Sequence, residues 1–123
     1  VYALWQWAKR HDVQINWGTG AIWGKFSPVF KKIGHTRSFC SISIDGATDI
    51  NYCYLDEQAD RVLLRDILKQ HIGGVCPNVT DIDASELSRK GPVLPAKIMV
   101  QIVDKVIAAL DEFIERKEKD GNQ

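Results

Sequence analysis

The chain has no apolar run of the roughly 18 residues that a membrane-spanning helix needs, so no part of it reads as such a helix. It has no excess of either charge: 16 Lys and Arg stand against 16 Asp and Glu. Cysteine is scarce, and Cys40, Cys53 and Cys76 are odd in number and widely spaced. That excludes a disulfide framework and leads us to expect a reducing, cytoplasmic setting. The opening residues lack the character of a signal peptide, because Gln6, Lys9, Arg10 and His11 interrupt them. They also lack a helix cap. Val1 to Trp5 already reads as helix, so we expect a domain taken from a longer polypeptide. Internal repeats and low-complexity segments are absent.

What is present is ordinary for a globular protein. The 123 residues are 45% hydrophobic and 26% charged. This length suits one domain, residues 1–123, able to bury roughly two-thirds of the surface of its unfolded chain.

Asn16 to Lys25 holds Gly18, Gly20 and Gly24 among two tryptophans, and is the stretch most like a motif. A dinucleotide-binding loop needs a third glycine where Trp23 stands, and a helix after it. Gly24 and Pro28 oppose that helix. A P-loop needs a hydroxyl after Gly24-Lys25, where Phe26 stands. The better reading is a hairpin turn at Gly18–Ala21, with no nucleotide and no other cofactor.

Periodicity orders the rest. Residues 2–11 predict a short helix with Leu4, Trp7 and Ala8 inward. Val13 to Trp17 and Ile22 to Ser27 predict strands, the second ended by Pro28 or placed by it at an edge. Ser38 to Leu55 predicts a hairpin turning at Asp45-Gly46. Setting Ile44 opposite Ile50, Ile42 opposite Tyr52 and Cys40 opposite Tyr54 gathers the apolar residues on one face, with Cys40 and Cys53 on opposite faces. Asp60 to Ile72 predicts a helix with Val62, Leu63, Ile67 and Leu68 inward, stopped at Gly73-Gly74. Residues 75–93 read as irregular, with room for a short helix after Asp83, where Glu86 completes a capping box. Pro95 opens a last helix carrying Ile98, Ile102, Val103, Val106, Leu110, Phe113 and Ile114, fraying after Glu115. The fold class expected is α+β: an antiparallel meander of about four strands with three main helices on one face.

The zero net charge hides an asymmetry. Residues 1–37 carry Lys9, Arg10, Lys25, Lys31, Lys32 and Arg37 against Asp12 alone, and all four tryptophans lie in the first 23 residues. Within this half, residues 25–37 combine four permanent cations, His35, Phe26 and Phe30, with no acid. Cations bind phosphates by charge and interleaved aromatics stack on bases, so the expected nucleic-acid contacts are Lys25, Phe30, Lys31, Lys32, His35 and Arg37, joined by Lys9 and Arg10. The bland reading is a solvated loop whose phenylalanines anchor it to the core.

Other chemistry finds less support. Asp45, Asp49, Asp56 and Glu57 lack the lysine partner of a metal-dependent nuclease and read as turn and cap residues. His11 and His71 end helices, where the dipole favours them. His71 and Cys76 are two zinc ligands at most, which make no metal site. No histidine is fixed beside a cysteine as a nucleophile pair needs, so we expect no enzyme activity.

The succession Trp17-Gly18-x-Gly20, Gly24-x-Phe26-x-Pro28, Ser41-Ile42-x-Ile44-Asp45-Gly46, Asp49-Ile50-Asn51-x-x-Tyr54-Leu55 and Pro92-x-Leu94-Pro95 resembles a small C-terminal module of uncharacterised bacterial proteins. That resemblance implies an accessory domain following others, some of them nuclease-like or restriction-related, and assigns no site residue. Three functions stay open: non-specific nucleic-acid contact, a protein-interaction or dimerisation module that uses Trp5, Trp23 or the last helix, and a fragment of a nuclease-like enzyme completed by other domains.

Overall fold

The computed structural model describes residues 2–11, 14–17, 25–30, 37–43 and 45–121. Its elements are α1 (Tyr2–Arg10), β1 (Gln14–Trp17), β2 (Lys25–Val29), β3 (Cys40–Ser43), β4 (Thr48–Ile50), α2 (Gln58–Ile72), α3 (Pro77–Thr80), β5 (Val93–Leu94) and α4 (Ala96–Gly121). Short 3-10 turns lie at Tyr52–Tyr54, Gly73–Val75 and Ala84–Arg89. The fold is α+β. The strands follow chain order, β1-β2-β3-β4-β5, and each pair is antiparallel. The meander expected from the short connections is therefore present. The two-residue β5, which begins at the last residue of the stretch read as irregular, adds a fifth strand at the edge beside β4.

The helices follow their apolar periodicity. In α1, Leu4, Trp7 and Ala8 are buried. In α2 the buried set is Leu64, Ile67, Leu68 and Ile72, with Val62 and Leu63 half-buried beside it. The inward stripe thus centres on Leu64 rather than Leu63. Gly73 ends α2 at φ 57, a conformation that glycine adopts without steric penalty. In α4, Met99, Ile102, Val106, Ala109, Leu110, Phe113 and Ile114 are buried. Each large apolar side chain so placed contributes roughly 1.5–3 kcal/mol of transfer free energy. The helix runs on to Gly121 instead of fraying after Glu115. Lys117 near its end reaches the carboxylate of Asp60 on α2 at 2.8 Å.

Three local expectations are corrected. The hairpin register is Cys40 opposite Ile50, Ser41 opposite Asp49 and Ile42 opposite Thr48. Ile42 thus faces a residue four short of Tyr52. The turn is the reason. Ser43 N–H donates to Ala47 O at 2.9 Å, Asp45 Oδ1 accepts from Ala47 N–H at 3.0 Å, and Gly46 takes φ 100. A short loop ending on a left-handed glycine outcompetes the wider loop that side-chain matching required. The shift is even, so facing is preserved: Cys40 and Ile42 stay in the core, while Ser41 bonds Ser27 Oγ at 2.9 Å and Asn51 Nδ2 at 3.1 Å. Ile44 lies outside the described residues.

Pro28 neither ends β2 nor sits on an edge strand. It pairs with Ile15 of β1, and β3 pairs only with Lys25 and Phe26, so no β3 partner needs the proline's missing N–H. Asp83 precedes a 3-10 turn and its side chain caps nothing, so there is no capping box. The tighter turn replaces the α-helical start that such a box serves.

The cysteines are all free. Burial pushes the Cys40 thiol up to about 12, against a weaker opposing hydrogen bond from Ser38, and burial also raises that of Cys76. Cys53 is half-exposed. A thiol reagent at about pH 8 is therefore expected to modify Cys53 first, with Cys40 and Cys76 reacting on the timescale of unfolding, as timed mass spectrometry of peptides would show. Rapid labelling of Cys40 would contradict the core placement of β3.

Candidate nucleic-acid interface

The basic segment carries the core aromatics Phe26 and Phe30 and is followed by a third, Phe39. Phe30 follows β2 and is only 3% exposed. Its ring centroid is 5.5 Å from that of Trp7, 5.8 Å from that of His11, and 5.2 Å from that of Phe39, with the last pair stacked at 30°. Phe39 is buried and meets Phe113 of α4 edge-on at 5.2 Å. Phe30 and Phe39 are thus pinned together beside the last turn of α1. Phe30 is accordingly corrected from base-stacking residue to anchor: a ring buried against three others has no face for a ligand.

The end of α1 is fixed in turn by α4. Trp7 Nε1 donates to Asp111 Oδ1 at 2.5 Å, and His11 Nε2 lies 2.7 Å from the same oxygen. His71, at the end of α2, meets the adjacent Glu112 at 3.2 Å. Both histidines assigned to helix dipoles on sequence grounds therefore also face a carboxylate of α4. Lys9 and Arg10 project from this anchored turn and are exposed. Lys9 Nζ lies 5.5 Å from the Trp5 ring, which is half-buried and meets Phe26 edge-on.

Arg37 is exposed, and its guanidinium carbon lies 4.9 Å from the Tyr54 ring centroid. Lys25 pairs with Ser43 through its backbone. Lys31, Lys32 and His35 lie outside the described residues, as do Trp23 and the residues expected to turn at Gly18–Ala21. β1 and β2, which that glycine stretch joins, are an antiparallel pair, and β2 follows it as a strand. A dinucleotide-binding loop would be followed by a helix, where Lys25–Val29 is a strand.

Sequence reasoning misses Tyr54 and Asp111. Alternation places Tyr54 in a sheet, but it sits on a 3-10 turn, 41% exposed. Asp111 is 104 residues from Trp7, a separation at which no local pattern signals a contact.

A separate cleft of about 370 Å³ between α2 and the 80–83 segment is lined by both signs of charge. Arg65 is held by Asp66 at 3.1 Å and by the Ile82 carbonyl at 2.9 Å, and Lys69 lies 3.6 Å from Asp81. Both of its cations are thus answered by a carboxylate. Among the described residues no group of three or more His, Cys, Asp or Glu is placed to hold a metal ion, and no helix is long and apolar enough to cross a membrane. Comparison with protein-family models, with curated proteins and with solved structures finds no match.

Proposed function

We propose that this chain is a non-catalytic accessory domain of a cytoplasmic bacterial protein, and that it contacts nucleic-acid phosphates non-specifically. The basic segment 25–37 and the end of α1 form the contacting surface. The observation that carries the reading is the packing of Phe30 on Trp7 and His11, with Phe39 against it. It sets Phe30, within the basic segment, beside the turn of α1 that carries Lys9 and Arg10, and this supports a reading in which both sets of cations act on one polyanion. Shared placement matters because phosphate binding grows with the number of cations engaged at once, through counterion release. The segment has no acid, so nothing on it opposes an anion.

The test is a titration with short DNA, followed by tryptophan fluorescence, at low and at physiological salt. Affinity is expected to fall steeply with salt. Lys9→Glu with Arg10→Glu is expected to weaken binding and to flatten the salt slope by about one for each phosphate that the variant no longer neutralises. Absence of binding at low salt would sink the proposal.

One observation favours the interaction-module reading instead. Val100 on α4 is 82% exposed and borders a hollow lined by Ala3, Leu4, Met99 and Val103. That reading expects molar mass to rise with concentration in sedimentation, and the rise to vanish in Val100→Lys.

A further inference from the structure

We propose that Tyr54 and Arg37 form a stacking site for an unpaired base, so that the nucleic acid this surface takes is single-stranded. The inference rests on the phosphate-binding reading above and adds the class of ligand to it.

Tyr54 is the exposed aromatic that lies next to the basic segment. It is 41% exposed, and Arg37, the last cation of that segment, lies over its ring at 4.9 Å. Its position follows from the hairpin register. Because the turn closes early, β4 ends at Ile50 and the chain enters the Tyr52–Tyr54 turn instead of continuing the sheet. That turn is held firmly. Tyr54 N–H donates to Asn51 O at 3.0 Å, and Leu55 N–H to Tyr52 O at 3.0 Å. On either side, Tyr52 and Leu55 are buried, and the Tyr52 hydroxyl donates to Val79 O at 2.8 Å. Cys53 N–H donates to Lys90 O at 3.0 Å, which brings the backbone of a second exposed cation alongside.

An aromatic ring on a fixed turn is a stacking platform with little ordering left to do on binding. Arginine extends the platform, since its guanidinium plane stacks on rings and bases while its N–H groups reach a phosphate. Every base has a π-face, so such a site tolerates any sequence. In a duplex those faces are already covered by neighbouring bases. Only an unpaired base can present one. Asp56 and Glu57 are exposed just beyond Tyr54 and repel phosphates, which directs the strand back toward Arg37.

The test uses the full chain with fluorescently labelled oligothymidylate of about 15 nucleotides, within the site sizes of single-strand binders, and a duplex of the same length, both at low salt. Oligothymidylate is expected to bind more tightly than duplex. Tyr54→Ala is expected to weaken it about tenfold, leave duplex binding unchanged, and leave the thermal midpoint unmoved because the ring is exposed. Tyr54→Phe keeps the ring and is expected to retain affinity. If Lys31→Glu with Lys32→Glu abolishes binding while Tyr54→Ala changes nothing, the charged surface stands and the stacking site falls. A preference for duplex overturns the stacking site as well. If neither oligonucleotide binds, the phosphate-binding reading fails and the inference fails with it.

Discussion

Phe39→Ala is expected to lower the free energy of unfolding by about 3–5 kcal/mol, the range for removing a buried phenylalanine. Phe39 is fully buried, stacks on Phe30 and meets Phe113 edge-on. It precedes β3 and packs between Phe30, which follows β2, and Phe113 of the long helix α4. Truncation opens a cavity between elements that cannot all move to fill it. A domain of this size has about 5–15 kcal/mol of stability in total, so the loss is a large fraction of it. Urea unfolding followed by tryptophan fluorescence would show a lower midpoint at unchanged slope. A loss under about 1 kcal/mol would mean that the ring does not bridge the layers. Phe39 also backs Phe30, so the folded variant should bind DNA more weakly than its intact surface charges imply.

Asp111→Ala is expected to cost about 1–3 kcal/mol, chiefly by leaving a buried donor unpaired. Trp7 is fully buried, and Asp111 accepts the proton of its indole nitrogen. The same oxygen holds His11. Asp111→Asn retains an acceptor oxygen and should cost less. The order wild type, Asn, Ala in chemical-denaturation midpoints is the readout. Equal midpoints for Asp111→Ala and wild type would mean that water satisfies the indole as well as the carboxylate does. Because this contact fixes the turn that bears Lys9 and Arg10, the alanine variant tests stability and surface geometry together.

Both residues show where sequence reading stops. Phe39 is legible as apolar, and Phe30 as an aromatic beside lysines. Whether Phe30 faces a ligand or the core is not legible, because an aromatic serves either purpose and the choice depends on what packs against it. The arrival of Trp7 and His11 at its ring settles the matter. Asp111 reads only as a polar position on an amphipathic helix. Its role needs Trp7 from the far end of the chain.

Apolar spacing is enough to place α1, α2, α4 and the antiparallel order of the strands, because period and turn chemistry are local properties of the chain. It is also enough to say which residues of β3 face inward, since alternation survives any even slip. The register itself is decided by the competition between a tight glycine turn and the matching of side chains across the hairpin. That competition is settled by backbone geometry, and local alternation cannot register a slip of four. With it comes the largest difference for the site: Tyr52 is in the core as expected, while Tyr54, expected on the same apolar face, comes out beneath Arg37. The cations are countable in the sequence alone. Phe30, within the basic segment, comes to stand beside the turn of α1 that carries Lys9 and Arg10 because buried rings pack there, and contacts across such separations arise only when the whole chain has folded.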